Sequence, residues 1–245
     1  SSDGDEIIVA PGTYTSAQDG HVVDMKGKAV TLRSSDGPEV TIIDGQQARR
    51  GIAMFNDEDE GTVISGFTIT SGYASPYDYD DDGDVIEFGS EFGGGVFHKS
   101  FSSVLAPRIE NCIITGNSGM AGGGVSLSGG GGVLLDCVIE NNLATGDSWL
   151  TGRGGGVYFT GAAANMNGTT VRNNTAFVGG GVYMNMGDLH MRACQVIDNT
   201  SEYTGGGVAV FDAYPVLRFT TISNNQAGNN GGGVLIDGDN QSIVD

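Results

Sequence analysis

A run of carboxylates between residues 75 and 92 has the spacing best suited to chemistry in this sequence. Aspartates stand at alternate positions and are followed by Gly83, which resembles the start of a calcium loop, where alternate carboxylates converge around a glycine turn. The twelfth position, a glutamate in an EF-hand, is Gly89, so the segment is not an EF-hand. Two interpretations stay open, a solvated acidic loop or a Ca²⁺ site formed by Asp78, Asp80, Asp82, Asp84 and Glu87.

Two tyrosines give a second candidate for binding. Tyr158 and Tyr183 each follow a Gly-Gly-Gly-Val block directly, 25 residues apart. If they lie on neighbouring turns and point outward, their rings stack, and an exposed stack could form a platform for sugar rings. The alternative is an aromatic ladder that only stabilises the outer wall.

No catalytic residue is assigned. His98 falls in a column of apolar residues, which favours a core role over a functional one. Arg192 and Arg218 share an outward column, but nothing in the repeat places an arginine beside the acidic run, as a calcium-dependent lyase would require. Paired carboxylates on one face, which a glycoside hydrolase needs, are not seen outside that run.

The positions of these residues in the fold follow from a sequence repeat. The Gly-Gly-Gly-Val block recurs six times, starting at Gly93, Gly122, Gly154, Gly179, Gly205 and Gly231. Five blocks are preceded by an asparagine, at Asn117, Asn142, Asn174, Asn199 and Asn225. Alignment on these markers gives apolar columns two residues apart, which is the period of a strand. Their return about every 25 residues predicts turns stacked at the strand spacing of about 4.8 Å.

The repeat predicts an all-β fold, a right-handed parallel β-helix of roughly nine or ten coils. Helical repeats are excluded because a glycine triplet would cost about 3 kcal/mol per coil relative to alanine. The first ~90 residues lack the triplet but keep short apolar runs, and we interpret them as earlier coils. We therefore expect one domain over residues 1–245, with insertions near 73–92 and 143–153.

The asparagines are predicted to form a ladder that bonds along the axis of the helix. Glycosylation is the alternative for Asn199, which lies in an Asn-x-Ser/Thr motif. Cys112, Cys137 and Cys194 share one inward column with two threonines. Free thiols are favoured there over a disulfide, because parallel neighbours in register rarely offer the required torsion.

The charge narrows the range of partners. The net charge is −19 with only 11 lysines and arginines, which disfavours nucleic acid and anionic membranes. No stretch approaches the roughly 18 apolar residues of a membrane span.

The opening DGDEIIVAPGTY resembles the first coil of pectate-lyase-like parallel β-helix proteins. The later GGGV and Ile-x-x-Asn pairs are similar to repeats of chlamydial polymorphic outer-membrane proteins and of secreted planctomycete proteins. This resemblance covers nearly the whole chain. It implies that the domain is part of a larger secreted bacterial protein, which is extracellular or at the cell surface.

We therefore expect a non-catalytic structural or adhesive module: a stalk, surface-layer, filament or adhesin component. Its expected partners are carbohydrate or a cell-surface protein, and its terminal coils could stack end to end on other copies. The alternative function is a carbohydrate-active enzyme of the polysaccharide lyase type, with Ca²⁺ as its cofactor.

Overall fold

The computed structural model describes residues 1–18, 20–74, 92–100, 107–161, 163–238 and the backbone of the strand at 243–244. These residues form 28 strands and no helix. Accordingly, no helix in this part of the chain has the length and apolarity needed to cross a membrane.

The strands fall on four walls that follow one another along each turn. The first wall carries the valine that follows each glycine block, and its strands are His21–Asp24 (β3), Arg50–Met54 (β6), Val96–Lys99 (β9), Val125–Gly129 (β13), Val157–Gly161 (β17), Val182–Arg192 (β21), Val208–Arg218 (β24) and Val234–Asp237 (β27). The second wall is continuous with the first in β21 and β24, and its other strands are Glu6–Val9 (β1), Thr31–Ser34 (β4), Val63–Ser65 (β7), Arg108–Glu110 (β10), Gly132–Leu135 (β14), Ala164–Asn167 (β18) and Ile243–Val244 (β28).

The third wall carries the isoleucine or valine that precedes each ladder asparagine. Its strands are Gly12–Tyr14 (β2), Thr41–Asp44 (β5), Thr68–Thr70 (β8), Ile113–Thr115 (β11), Val138–Glu140 (β15), Thr170–Arg172 (β19), Gln195–Ile197 (β22) and Thr221–Ser223 (β25). The fourth wall is short and consists of Ser118–Gly119 (β12), Leu143–Ala144 (β16), Thr175–Val178 (β20), Thr200–Thr204 (β23) and Gln226–Ala227 (β26).

Every named strand pairs in parallel with the strand one turn away, and the columns predicted from the repeat lie in register. Val157 pairs with Val182 on the first wall, and Ile114 pairs with Ile139 on the third. The second wall runs β1, β4, β7, β10, β14, β18, β21, β24 and β28, so it counts nine successive turns. The prediction of stacked coils is confirmed.

The core fills the inside of this stack. One buried apolar cluster extends through the turns from Met25 to Leu217, and its members recur at the predicted inward columns. Each turn covers its apolar side chains only with the turns above and below, as expected of a solenoid.

Two positions show why the glycine block is needed. Gly154 begins its block at φ +63°, a left-handed conformation that favours glycine. A Cβ on Gly156 would lie 2.9 Å from the side-chain nitrogen Nδ2 of Asn174 and 2.8 Å from the carbonyl oxygen of Gly181. The block therefore makes the corner and leaves room for the asparagine ladder.

That ladder is present as predicted. The side-chain amide of Asn142 donates to Oδ1 of Asn174 at 3.0 Å, and that of Asn174 donates to Oδ1 of Asn199 at 3.0 Å. Each of these amides also donates to a carbonyl of the preceding turn, as from Asn174 to Ile139 at 3.0 Å. Asn199 is fully buried in this network, so the glycosylation alternative is wrong for that residue.

Candidate functional site

The predicted calcium ligands cannot be placed. Asp78, Asp80, Asp82, Asp84 and Glu87 lie outside the described residues. Among the residues that are described, no three histidine, cysteine, aspartate or glutamate side chains are placed to hold a metal ion. The Ca²⁺ site thus stays a prediction from sequence.

Tyr158 and Tyr183 form the predicted stack, but it is not an exposed one. Their ring centroids are 5.5 Å apart with an interplanar angle of 10°, and the rings extend the row from Phe92 to Phe211. The two tyrosines are only 5% and 4% exposed, and the guanidinium of Arg153 lies 5.2 Å over the Tyr183 ring. Burial also raises the pKa of Tyr183 to about 12.

The expectation of an exposed stack is therefore corrected. Arg153 belongs to the insertion at 143–153, and the two tyrosine rings also pack with Ala121, Val178 and Ala209 in one buried cluster. Sequence periodicity predicts which rings stack on one another, but it does not predict which side chains cover them. Glycan binding by Tyr158 and Tyr183 stays an untested prediction, and the accessible aromatic faces belong to other residues.

Those faces form what we call the aromatic surface, composed of Trp149, Phe177, Tyr203 and Phe211. Trp149 is 41% exposed and Tyr203 is 36% exposed. Their ring centroids are 5.0 Å apart at 72°, an edge-to-face contact. Phe177 stacks on Tyr203 at 5.6 Å, and Phe211 meets Trp149 edge-on at 5.6 Å. Two rings thus stay open to solvent while two half-buried rings support them.

The aromatic surface is held by hydrogen bonds within the insertion. Ser148 and Thr151 share a hydroxyl hydrogen bond of 2.7 Å, and the amide of Gly152 donates to the carbonyl of Ser148 at 3.0 Å. The guanidinium of Arg153 donates to the carbonyl of Trp149. The sequence analysis predicted the insertion but missed Trp149 and Tyr203 as a pair, although Trp149 is the single tryptophan of the chain.

A concave feature, which we call the arginine recess, lies on the second wall. It has a volume of about 410 Å³ and is lined by Leu135, Asn165, Met166, Asn167, His190, Met191, Arg192, Val216 and Arg218. Arg192 and Arg218 occupy matching positions on neighbouring strands, so the predicted outward column is confirmed. His190 lines the same recess.

His98 is a buried core residue. It is fully buried in the inward column, between Met54 and Leu127 of the adjacent turns, and its Nε2 lies 3.1 Å from the carbonyl oxygen of Glu58. Burial lowers the pKa of His98 to about 4. The Glu58 carboxylate accepts hydrogen bonds from the amides of Gly27 and Asn56 at 2.8 and 3.0 Å, and burial raises its pKa.

Arg50 was missed by the sequence analysis because it precedes the first glycine block. Its side chain is fully buried, donates to the carbonyl of Gly93 at 3.0 Å and lies 4.7 Å over the ring of Phe97. It therefore ties one turn to the next where that block begins.

The three cysteines are buried free thiols, as favoured from the sequence. Burial raises the pKa of Cys112 to about 11 and also raises those of Cys137 and Cys194. A thiol with a raised pKa is a poor nucleophile at neutral pH. These residues thus serve packing.

Comparison with known proteins agrees with the geometry. The family model described as "Right handed beta helix region" matches residues 50–245. A comparison with curated proteins found no match. Among solved structures, a chain titled "Crystal structure of pectate lyase Pel9A" is similar with a TM-score of 0.54 and 12% identity, over 98% of this chain and 70% of that chain. At this identity the likeness concerns the fold alone. The protein belongs to the right-handed β-helix family and folds as a right-handed parallel β-helix.

Proposed function

We propose that this protein is a non-catalytic, extracellular adhesive module that presents the aromatic surface to carbohydrate. The observation that carries the proposal is the exposed pair of Trp149 and Tyr203, whose rings contact each other and are supported by Phe211 and Phe177. The extracellular location at a bacterial surface rests on the resemblance of its repeats to those of surface and secreted proteins.

The chemistry of the pair suits a sugar. Tryptophan and tyrosine offer wide apolar faces with few rotatable bonds, and both are enriched where binding energy concentrates. The apolar C–H face of a pyranose can lie flat against such a ring. Because Phe177 and Phe211 already fix the two exposed rings, little conformational entropy is lost on binding.

The scaffold suits adhesion. Nine turns at about 4.8 Å each give a rod of roughly 40 Å. The asparagine ladder and the in-register walls connect every turn to the next, so the insertion is held at a fixed height on the rod. End-to-end stacking of copies would extend this geometry and remains a further proposal.

Fluorescence provides the test. Trp149 is the only tryptophan, so its emission reports on the aromatic surface alone. Titration with a panel of neutral and acidic oligosaccharides should change that emission for at least one glycan. Trp149→Ala and Tyr203→Ala should each weaken glycan binding about tenfold, a typical loss at a binding hot spot. Because Trp149→Ala removes the fluorophore, its affinity is measured by calorimetry.

The matched control is Tyr214→Ala, because Tyr214 is also exposed, at 52%, but makes no ring contact with the aromatic surface among the described pairs. Its affinity should stay within about twofold of the wild type, as expected for an exposed residue outside the contact. If no glycan changes the emission, or if all three variants lose affinity equally, the proposal fails.

A polysaccharide lyase is the alternative function, and the pectate lyase neighbour supports it at the level of fold only. Incubation with acidic and neutral polysaccharides, with and without Ca²⁺, separates the two. Chain shortening with unsaturated products would overturn the non-catalytic proposal, whereas binding without shortening supports it.

A further inference from the structure

The strand that carries Tyr203 contains a β-bulge, and the bulge brings a carboxylate to the aromatic surface. The pairing of β20 with β23 shifts by one residue, so that Glu202 and Tyr203 together lie opposite Phe177. In a regular strand, successive side chains point to opposite faces. Here Glu202 and Tyr203 are both exposed, and re-aiming a side chain is what a bulge does next to a functional site. The bulge therefore presents a carboxylate and an aromatic ring side by side.

Phe211 also has acidic neighbours. Asp212 follows it directly, at a left-handed corner with φ +46°, and is exposed. Burial is the main cause of the raised pKa of Tyr183, and the negative charge of Asp212 adds to it, so this carboxylate lies near the Tyr183 ring. Asp237, also exposed, pairs with Phe211 on the next strand, whose backbone lies about 4.8 Å away. Carboxylates therefore adjoin Phe211 both along its strand and across it.

Basic residues are distributed differently. Beyond Arg153, the sequence has no lysine and only three arginines, all on the second and third walls: Arg172, Arg192 and Arg218. Arg153 itself is half-buried, and its guanidinium lies over the Tyr183 ring and donates to the carbonyl of Trp149. On the same insertion, Asp147 is exposed two residues before Trp149. The aromatic surface thus lies in a region where the exposed charges are negative.

An aromatic face and a carboxylate favour the same kind of ligand. The face of a tryptophan or tyrosine ring attracts a cation within about 6 Å of its centre. Carboxylates around such a face raise the local concentration of cations and repel anions, and the net charge of −19 acts in the same direction. A neutral sugar would use only the rings, and an acidic sugar would be repelled. A sugar that carries an ammonium group would use both the rings and the carboxylates.

We infer that the aromatic surface binds a glycan with free amino groups, a polymer of glucosamine or of a similar amino sugar. This inference rests on the proposed function and narrows its ligand to a cationic carbohydrate. Trp149 and Tyr203 provide the faces for the sugar ring and its ammonium group. Glu202 and Asp212 provide the negative charge beside those faces.

Three β-1,4-linked oligomers of equal length test the inference, because they differ only at C2 of each sugar: glucosamine, N-acetylglucosamine and glucose. Binding is followed by Trp149 emission, at a pH above the carboxylate pKa values and below that of the sugar amine. The glucosamine oligomer should bind at least about tenfold more tightly than the other two. Equal or tighter binding of the uncharged oligomers overturns the inference but leaves the proposed function intact. If none of the three binds, the inference is overturned, and the broader glycan panel decides the proposed function.

Charge-matched variants assign the preference to the aromatic surface. Glu202→Gln combined with Asp212→Asn removes two charges but keeps size, and asparagine tolerates the left-handed corner. This pair should weaken binding of the glucosamine oligomer about tenfold and change that of the glucose oligomer by less than about twofold. The control, Asp36→Asn with Glu39→Gln, removes two exposed charges from an early coil and should change neither by more than about twofold. Equal losses in both pairs would show attraction to overall charge and would overturn the inference.

Two further measurements distinguish an amino sugar from other cations. A lysine oligomer of equal length carries the charges without the sugar rings, so it should bind more weakly than the glucosamine oligomer. Equal or tighter binding would indicate a site for basic peptides and would overturn the inference. Raising NaCl from about 0.1 M to about 1 M shortens the screening length from about 10 Å to about 3 Å. Binding of the glucosamine oligomer should weaken while that of the glucose oligomer does not; an affinity for glucosamine that is unaffected by salt would contradict the role of the carboxylates.

Discussion

The asparagine ladder makes the sharpest prediction about stability, and Asn174 is its central test. In the native protein the Asn174 amide donates to the Ile139 carbonyl, and its Oδ1 accepts from the backbone amide of Asn142, both at 3.0 Å. Alanine at this position removes these partners. The Ile139 carbonyl and the Asn142 amide would then be left in a fully enclosed part of the stack.

The magnitude follows from those two groups. Each buried polar group left without a partner costs about 1–3 kcal/mol. Asn174→Ala should therefore lower the free energy of unfolding by about 3–5 kcal/mol, including a small cavity. Asn225→Ala should cost only about 1 kcal/mol, because Asn225 is partly exposed and water can replace its hydrogen bonds.

Urea unfolding followed by circular dichroism measures these differences, with thermal unfolding as a second measure. The control is Asn165→Ala in the same turn, which removes an exposed amide and should change stability by no more than about 0.5 kcal/mol. The reasoning is refuted if Asn174→Ala costs no more than Asn165→Ala. It is also refuted if Asn174→Ala and Asn225→Ala cost the same, because burial would then have no effect.

Three other changes have expected outcomes. Phe219 is 74% exposed with φ +52°, so Phe219→Gly should relieve a left-handed strain of about 1 kcal/mol and raise the melting temperature; an unchanged or lower value would contradict this. Burial lowers the pKa of His98 from 6.5 to about 4, so the unfolded chain binds the proton more readily between these values. The free energy of unfolding should fall by up to about 3 kcal/mol as the pH drops from 7 to 4. In urea unfolding, His98→Leu should lack this pH-dependent loss, and parallel pH profiles of the two proteins would contradict the prediction. If the acidic run binds Ca²⁺, excess calcium should raise the melting temperature by roughly 5–10 °C, EDTA should reverse this, and Asp80→Asn with Asp82→Asn should abolish it; indifference to both reagents would argue against the site.

Much of the scaffold could be predicted from the sequence because a solenoid repeats the same packing of one turn on the next. Val157 over Val182 and Asn174 over Asn199 follow directly from a 25-residue spacing, since each turn contacts only its neighbours. The free cysteines and the buried His98 followed from the same columns. The exact strand bounds, and left-handed corners at residues such as Asp136 and Phe219, were not foreseen, because corner residues vary in type from turn to turn.

The sequence by itself determined which residues are stacked, and only the tertiary structure decided which of them meet solvent or one another across walls. Tyr158 and Tyr183 stack as their spacing requires, yet both are buried in a cluster of side chains, and Arg153 of the insertion lies over the Tyr183 ring. Trp149 meets Tyr203 although 54 residues separate them, because one lies in an insertion and the other on the fourth wall, more than one turn away. Periodicity describes contacts along the axis of the helix, whereas these contacts depend on how an irregular segment folds back over the outer surface.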